Sequence, residues 1–489
     1  MRFRELAGFP ALFADFCEGA PTARQFFPCT PDAESLQSQA ESFHDRTLPR
    51  QDLCDLLHAQ AERFRCGESA RSNLAKLKDP QTMAVVTTLH PGLFGGPLCS
   101  WLKAFTAARL AAWLSDIGIP AVPVGWMDAG VRAADLSVGL LATGGPLRVG
   151  LGCTPVPNAG VSNGIEELLA RIAQVLEVSV EQSDLLQMLK AAYASEADLA
   201  RAWGRSISKL LDSCGMVLLD PLQPGVLPLV MHLVPFVEER KAAAALAEQE
   251  KRLRAAGYGS AQPDGSAGNA HREGAAGQLA GVLTSLVMQH LLLPVVANVI
   301  GEAEAYSFAR EQALFPELRL CQPLAWPRVS ATILDARSRK VLRRYGIGLG
   351  ELFAGPEAVI ENLMRRLVAQ DTLSRLENLE EELEKHLTEL ACLVPSEDRL
   401  RVRIEKCRRR MVYQLEKLKT RFSDAQWQRR EAIKRQVSRL CHSLAPWGRL
   451  QERELAGFQF IQRHSGAFVQ TLYESINPWK FEHQLIPVD

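Results

Sequence analysis

The sequence predicts an α/β fold. It has a parallel-sheet core, helical connecting insertions and a C-terminal antiparallel coiled-coil hairpin. Three observations carry this. Two short apolar runs, 83–87 and 119–124, flank a glycine-rich turn and an uninterrupted helical stretch, which is the pattern of a βαβ unit. Similar runs recur further on, each preceded by helical sequence. From 361 onward the pattern changes to heptad-like leucines on two consecutive segments.

The chain has 489 residues, enough for several domains, with 47% hydrophobic and 23% charged residues. That balance excludes global disorder. Lys+Arg and Asp+Glu both number 56, so the formal net charge is zero. A partner bound through a large basic surface, such as nucleic acid, is not expected. The 11 cysteines form no CxxC pair and none has a His at zinc-finger spacing. Neither a disulfide framework nor a metal site is expected, and free thiols in a reducing cytoplasm fit. The opening residues, Met1 to Glu5, show no apolar signal region. The uncharged stretch 274–301 contains Gln278, Gln289, His290 and Asn298. It therefore reads as buried helix and strand rather than a membrane span.

Residues 1–80 carry apolar residues at three and four spacing, as in Leu53, Leu56, Leu57 and Phe64, and are expected to be helical. Met83 to Thr87 reads as a buried strand and His90 to Pro97 as a glycine-rich turn. The stretch 98–115 reads as a helix with Trp101, Phe105, Ala108 and Ala112 in one row, and 119–124 as the next strand. Residues 160–215 are mostly helical, 215–220 is a strand, 236–256 a polar helix and 257–274 a Gly/Ser/Ala/Asn loop. Further strands are expected over 291–299 and 327–334. The core is placed at 1–360, with inserted connecting segments over roughly 155–285, the coiled coil at 361–445 and a segment returning to the core at 446–489.

In the hairpin, Leu373, Leu376, Leu383, Leu387 and Leu390 form one seam. Leu400, Ile404, Cys407, Met411, Leu415, Leu418 and Phe422 form the other, with a break at Val394-Pro395-Ser396. Between 371 and 390 there are seven acids and two bases, and between 397 and 439 fifteen bases and six acids. Opposite charge on adjacent arms favours antiparallel pairing. The surplus positive charge is either a solvated face or a contact for an anionic partner.

The strongest candidate for chemistry is Val85 to Pro97. A strand, a glycine turn and a helix start bring backbone N–H groups together, a geometry suited to phosphate. Thr87, Gly92, Gly95, Gly96 and Lys103 are the candidate phosphate ligands, and His90 lies on the rim, able to donate or to move a proton. The pattern is neither a P-loop nor GxGxxG, so the glycines alone also read as a plain turn. After the next strand come Trp126, Asp128, Arg132 and Asp135, where parallel sheets bind ligands. Paired carboxylates there suit an amine or a metal, or simply solvate the surface around a core tryptophan. Glu302, Glu304 and Tyr306 follow the strand ending near Val299 and converge on the same edge. No GxSxG, HExxH or Cys-His pair appears.

The run Val85–Leu98, then Lys103, then Ile119 to Trp126, resembles the bacillithiol biosynthesis cysteine-adding enzymes, or cysteine ligases. Further ordered matches are Pro10 to Phe16, Gly215 to Pro221, Leu292-Leu293-Pro294, Gly301 to Tyr306, Pro327-Arg328, Arg344-Tyr345-Gly346, Leu450 to Arg453 and His483 to Ile486. The resemblance covers nearly the whole chain. It implies a Rossmann-like core, a coiled coil and a cytoplasmic homodimer. It also implies a ligase that joins the carboxyl of cysteine to the amine of glucosaminyl-malate. An amide made from a free carboxylate needs activation, so ATP (or ADP as its product) is the implied nucleotide, with phosphate stabilisation by the glycine loop. On this reading His90 and Asp128 are catalytic. Thr87, Gly92, Gly95, Gly96 and Lys103 bind the nucleotide, and Trp126, Asp135, Glu304 and Tyr306 bind substrate.

The chain departs from the family pattern at four places: two are Ser285-Leu286, in place of Arg-Pro, and the short Gly-rich segment between Gly257 and Gly274, in place of a longer substrate loop; the other two lie at the candidate site. Thr88, Leu89 and His90 replace Gly-Gln-Gln, and Gly130, Val131, Arg132 and Ala133 replace an acidic cluster. His90 beside Pro91-Gly92, with Asp128 and Asp135, is the expected substitute. The alternative is a catalytically degenerate homologue that serves as a dimeric interaction protein.

Overall fold

The structure is a computed structural model. It describes residues 1–6, 8–43, 48, 50–128, 137–142, 144–150, 164–178, 180, 183–193, 199–234, 239–259, 283–367, 371–395, 399–464 and 467–488. The chain forms two compact units, Met1–Ala336 with Arg449–Asp489, and Arg337–Gly448.

Five parallel strands make the central sheet of the first unit: β1 (Met83–Leu89), β2 (Ala121–Met127), β5 (Val217–Leu219), β6 (Val295–Ile300) and β7 (Ala325–Pro327). Their spatial order is β5-β2-β1-β6-β7, so the direction of progression reverses between β1 and β6. This is the doubly wound order of a Rossmann-like sheet. β1, β2 and β6 are short continuous apolar runs because helices cover both faces of such a sheet. The helix Leu98–Asp116 is apolar nearly all round, and Trp101, Leu102, Ala104, Phe105, Leu110 and Leu114 are wholly buried. A hairpin of β3 (Ser137–Ala142) and β4 (Gly145–Gly150) stands apart from the sheet.

Two expected strands have different bounds. The run from 291 splits, because Thr284 caps a helix, Ser285–Leu292, its hydroxyl accepting from the Val287 amide at 3.3 Å. Pro294 then precedes β6, since proline cannot extend that helix. The run 327–334 is two strands, because Pro327 ends β7 and β8 (Ala331–Asp335) begins after Arg328 to Ser330. β8 pairs in parallel with β9 (Gln484–Val488) as a separate two-stranded sheet, so the tail joins the first unit there rather than at the central sheet. The loop 260–282 lies outside the described residues. Among the described residues no helix is long and apolar enough to cross a membrane.

The second unit holds the coiled coil, helices Asp371–Cys392 and Arg399–Leu444. Leu379 and Leu383 share a groove with Met411 and Leu415, while Leu387 and Ala391 share one with Val402. That order makes the arms antiparallel. Where the sequence places the boundary at 360/361, the compact units divide at 336/337. Residues ahead of 361 pack on the long arm, and Tyr345 Oη donates to Gln436 Oε1 at 2.8 Å. The seam is half open, with Leu379, Leu390, Leu400, Met411 and Leu418 about half exposed.

Candidate active site

The carboxyl ends of β1, β2 and β6 meet at the point where the strand order reverses, which is where open parallel sheets bind ligands. β1 ends one residue before His90, and β2 ends one residue before Asp128. In-register pairing of Thr88 with Trp126 and Leu89 with Met127 brings those two side chains together. Glu304 follows β6 and opens the helix Ala305–Glu311. Lys103 reaches in from the helix after β1.

His90 sits between two carboxylates. Its Nδ1 lies 3.5 Å from Asp128 Oδ2 and its Nε2 3.7 Å from Glu304 Oε1. Lys103 Nζ lies 2.6 Å from Glu304 Oε1 and also donates to the Thr88 carbonyl. The other Glu304 oxygen accepts from the Gly301 amide at 2.7 Å. The His90 side chain is 53% exposed and Lys103 9%, so the cleft opens on the histidine side.

Loss of water on the cleft side of the ring pulls the His90 pKa down, and the Asp128 and Glu304 carboxylates outweigh this and raise it to about 9. Burial alone raises the Glu304 pKa, but the Lys103 and His90 charges and the Gly301 amide bring it to about 2. Around neutral pH the cleft therefore holds a carboxylate between two cations. Glu311 is a further acid, its pKa raised by burial and by the Asp128 charge against a Thr284 hydrogen bond.

The glycine turn is tightly built. Phe94, Gly95 and Gly96 all have positive φ, and a Cβ on Gly95 would come within 2.7 Å of Leu210 Cδ1. Buried Tyr193 closes the turn. Its Oη accepts from the Phe94 amide at 2.8 Å and donates to the Gly92 carbonyl at 2.9 Å. The Gly96 amide donates to the Leu93 carbonyl at 3.0 Å. The Phe94 and Gly96 amides are thus partnered within the fold.

The other expected residues are placed as follows. The Thr87 hydroxyl donates to the Val299 carbonyl at 3.0 Å. Trp126 is fully buried, and its indole N–H has no partner among the described residues. Tyr306 engages Arg254. Asp135 lies outside the described residues, as do 130–133. Among the described residues no group of three or more His, Cys, Asp and Glu is arranged to hold a metal ion.

Two models of known families match the chain. The N-terminal Rossmann-like domain of the bacillithiol biosynthesis protein BshC matches residues 2–135 and 143–271, and the C-terminal coiled-coil domain of BshC matches 331–488. The chain belongs to the BshC family. Relatives named "Putative cysteine ligase BshC" span it nearly end to end. The Salinibacter ruber protein is 25% identical over 99% of this chain and 97% of its own. Those of Solibacter usitatus and Koribacter versatilis are 27% and 26% identical, over 85% and 98% of this chain and 86% and 97% of theirs.

Sequence reading did not find a second ionic cluster in this BshC-family chain, at the ends of β6 and β7. Buried Arg328 lies 2.8 Å from Glu302 and 2.7 Å from Glu452, and Arg453 lies 2.7 Å from Glu302. Glu452 also accepts from Ser330 Oγ at 2.8 Å and from the Ala331 amide at 2.6 Å. The Pro327-Arg328 and Leu450 to Arg453 matches were its only signal, since nothing local says that they pair. This cluster ties the tail to the sheet.

Proposed function

We propose that this BshC-family chain is a nucleotide-dependent cysteine ligase, forming an amide between the carboxyl of cysteine and the amine of glucosaminyl-malate. The observation that carries it is the Lys103–Glu304–His90–Asp128 constellation at the reversal point of the sheet. Cysteine and glucosaminyl-malate enter from the family resemblance and from the relatives' names. The geometry supports the reaction type.

A free carboxylate does not acylate an amine. ATP supplies the activation by transferring a phosphoryl or adenylyl group to a carboxylate oxygen, releasing ADP or pyrophosphate. The residues present fit such a group, because His90 is held cationic and the Lys103 ammonium lies beside it. Both stabilise negative charge that builds on the leaving phosphate. Asp128, with Glu311 close by, attracts the acceptor ammonium; after that group has given one proton to water, the free amine attacks and Asp128 takes the second proton as the C–N bond forms. The C–N bond forms, the acyl C–O bond breaks, and phosphate or AMP leaves. Glu304 holds Lys103 and His90 in place. The half-open leucine seam of the second unit supports a homodimer.

The test is to incubate the purified chain with cysteine, glucosaminyl-malate and ATP and to follow the amide product by mass spectrometry, with thiol profiles of cells carrying or lacking the gene. Product in vitro and loss of bacillithiol on deletion are expected. An unchanged thiol pool and no product overturn the proposal. A second reading, a dimeric interaction protein without activity, is favoured by the Phe94 and Gly96 amides of the glycine turn, both partnered within the fold. It requires a stable dimer that binds no nucleotide.

A further inference from the structure

A chain of buried side chains ends on Thr88. His290 Nε2 lies 2.8 Å from Asn298 Oδ1. Asn298 Nδ2 donates to Gln289 Oε1 at 2.8 Å, and Gln289 Nε2 donates to Thr88 Oγ1 at 3.2 Å. His290, Gln289 and Asn298 are 1%, 2% and 4% exposed. Polar groups so deep in the sheet are costly unless each is satisfied, and an apolar core would need none of them.

The chain has a direction. Asn298 spends its NH₂ on Gln289, so its carbonyl oxygen accepts, and His290 Nε2 carries the proton. Gln289 repeats the logic one step on. Thr88 Oγ1 therefore receives a hydrogen bond from the core, and its own single proton is left for another acceptor. Thr88 is half-buried near the end of β1, and its backbone carbonyl holds Lys103. Its neighbour Thr87 faces the other way along the strand, and its hydroxyl is taken by the Val299 carbonyl.

We propose that Thr88 is a binding residue whose hydroxyl donates to an anionic oxygen of a reactant, phosphoryl or carboxylate, and that His290, Asn298 and Gln289 are positioning residues that fix this polarity. The inference rests on reading the cleft as the reaction site. It names a contact that the expected set, built on Thr87, lacks. Thr88 stands where the family pattern has glycine, so this donor belongs to this chain's version of the cleft.

Nitrogen-resolved NMR of the His290 ring in the full chain at neutral pH reads the polarity without any ligand. The Nε2–H tautomer is expected, and an Nδ1–H tautomer reverses the chain and overturns the proposal. Calorimetric titration with ATP and with L-cysteine reads the contact. Thr88→Val, close to isosteric, is expected to weaken one of the two about tenfold, and Thr88→Ser to retain it. Loss toward ATP assigns a phosphoryl oxygen, and loss toward cysteine a carboxylate. Gln289→Glu presents only acceptors to Thr88, turns its proton inward and is expected to give the same loss with the threonine in place. Unchanged affinities in folded Thr88→Val overturn this inference and leave the ligase reading standing. Wild-type protein that binds neither probe overturns both.

Discussion

Lys103 Nζ and Glu304 Oε1 meet at 2.6 Å although 201 residues separate them in the chain. The pair joins the helix after β1 to the turn after β6, across the point where the sheet order reverses. Both side chains are largely buried, at 9% and 19% exposure. Removing one partner strands the other charge. Glu304→Gln or Lys103→Met is expected to cost about 3 kcal/mol in denaturant unfolding, the double variant less than the sum. A single-variant cost below about 1 kcal/mol would mean that the pair behaves as a solvated surface pair.

The position of His90 between Asp128 and Glu304 sets a pH window. Its folded pKa of about 9 lies above the unfolded value of about 6.5, so its stabilising interaction is fully present below the unfolded value. It is lost as pH rises through about 9. ATP affinity is expected to fall over the same window. An imidazole titration by NMR checks the midpoint, and Asp128→Asn is expected to lower it. A midpoint near the ordinary histidine value in the wild-type chain would remove His90 as the cation of the cleft.

Much of the fold was legible because its signals are local. The apolar runs of β1 and β2, the positive-φ glycines and the heptad leucines each declare themselves within a dozen residues. At the candidate site, His90, Asp128 and Glu304 were readable because each follows a strand at a sheet end, and Lys103 because it lies on the helix that the glycine turn opens. Tyr193, Gln289 and Glu311 were not, since each acts through one partner distant in sequence. The helix Ser285–Leu292 runs two residues into the stretch 291–299 that the sequence reads as strand, because a short apolar run looks alike in both states.

Tyr193 closes the glycine turn, so its hydroxyl is expected to matter more than its ring. Tyr193→Phe keeps the buried edge contact with Phe94, 4.9 Å between ring centroids, but deprives the Phe94 amide of its acceptor and the Gly92 carbonyl of its donor. Two stranded backbone groups are expected to cost about 2–4 kcal/mol together. A thermal melt checks the loss. A melting temperature equal to wild type would show that water replaces the hydroxyl.

Buried His483 gives a second pH effect, of opposite sign. Ser330 Oγ donates to Glu452 at 2.8 Å, so it accepts from His483 Nδ1, also at 2.8 Å. His483 Nε2 is then the unprotonated nitrogen, and it accepts from the Thr332 hydroxyl at 2.9 Å. Burial holds this ring neutral and lowers its pKa to about 4, the Arg328 charge adding to burial and the Glu452 charge opposing it. The unfolded chain takes up a proton from about pH 6.5 downward and the folded chain does not, so the unfolded state binds more protons in between. Stability is expected to fall by up to about 3 kcal/mol as pH drops from about 6.5 to about 4, at one proton's worth per unit. The carboxylates of the chain also titrate toward the lower end, so the comparison that isolates His483 is the difference between wild type and His483→Gln. The glutamine can reach the same two hydroxyls but does not titrate. The variant's unfolding free energy is expected to vary less steeply across this window. Parallel pH profiles for the two proteins would show that the ring is protonated in the folded chain and that the Ser330–Glu452 arrangement tolerates the added charge.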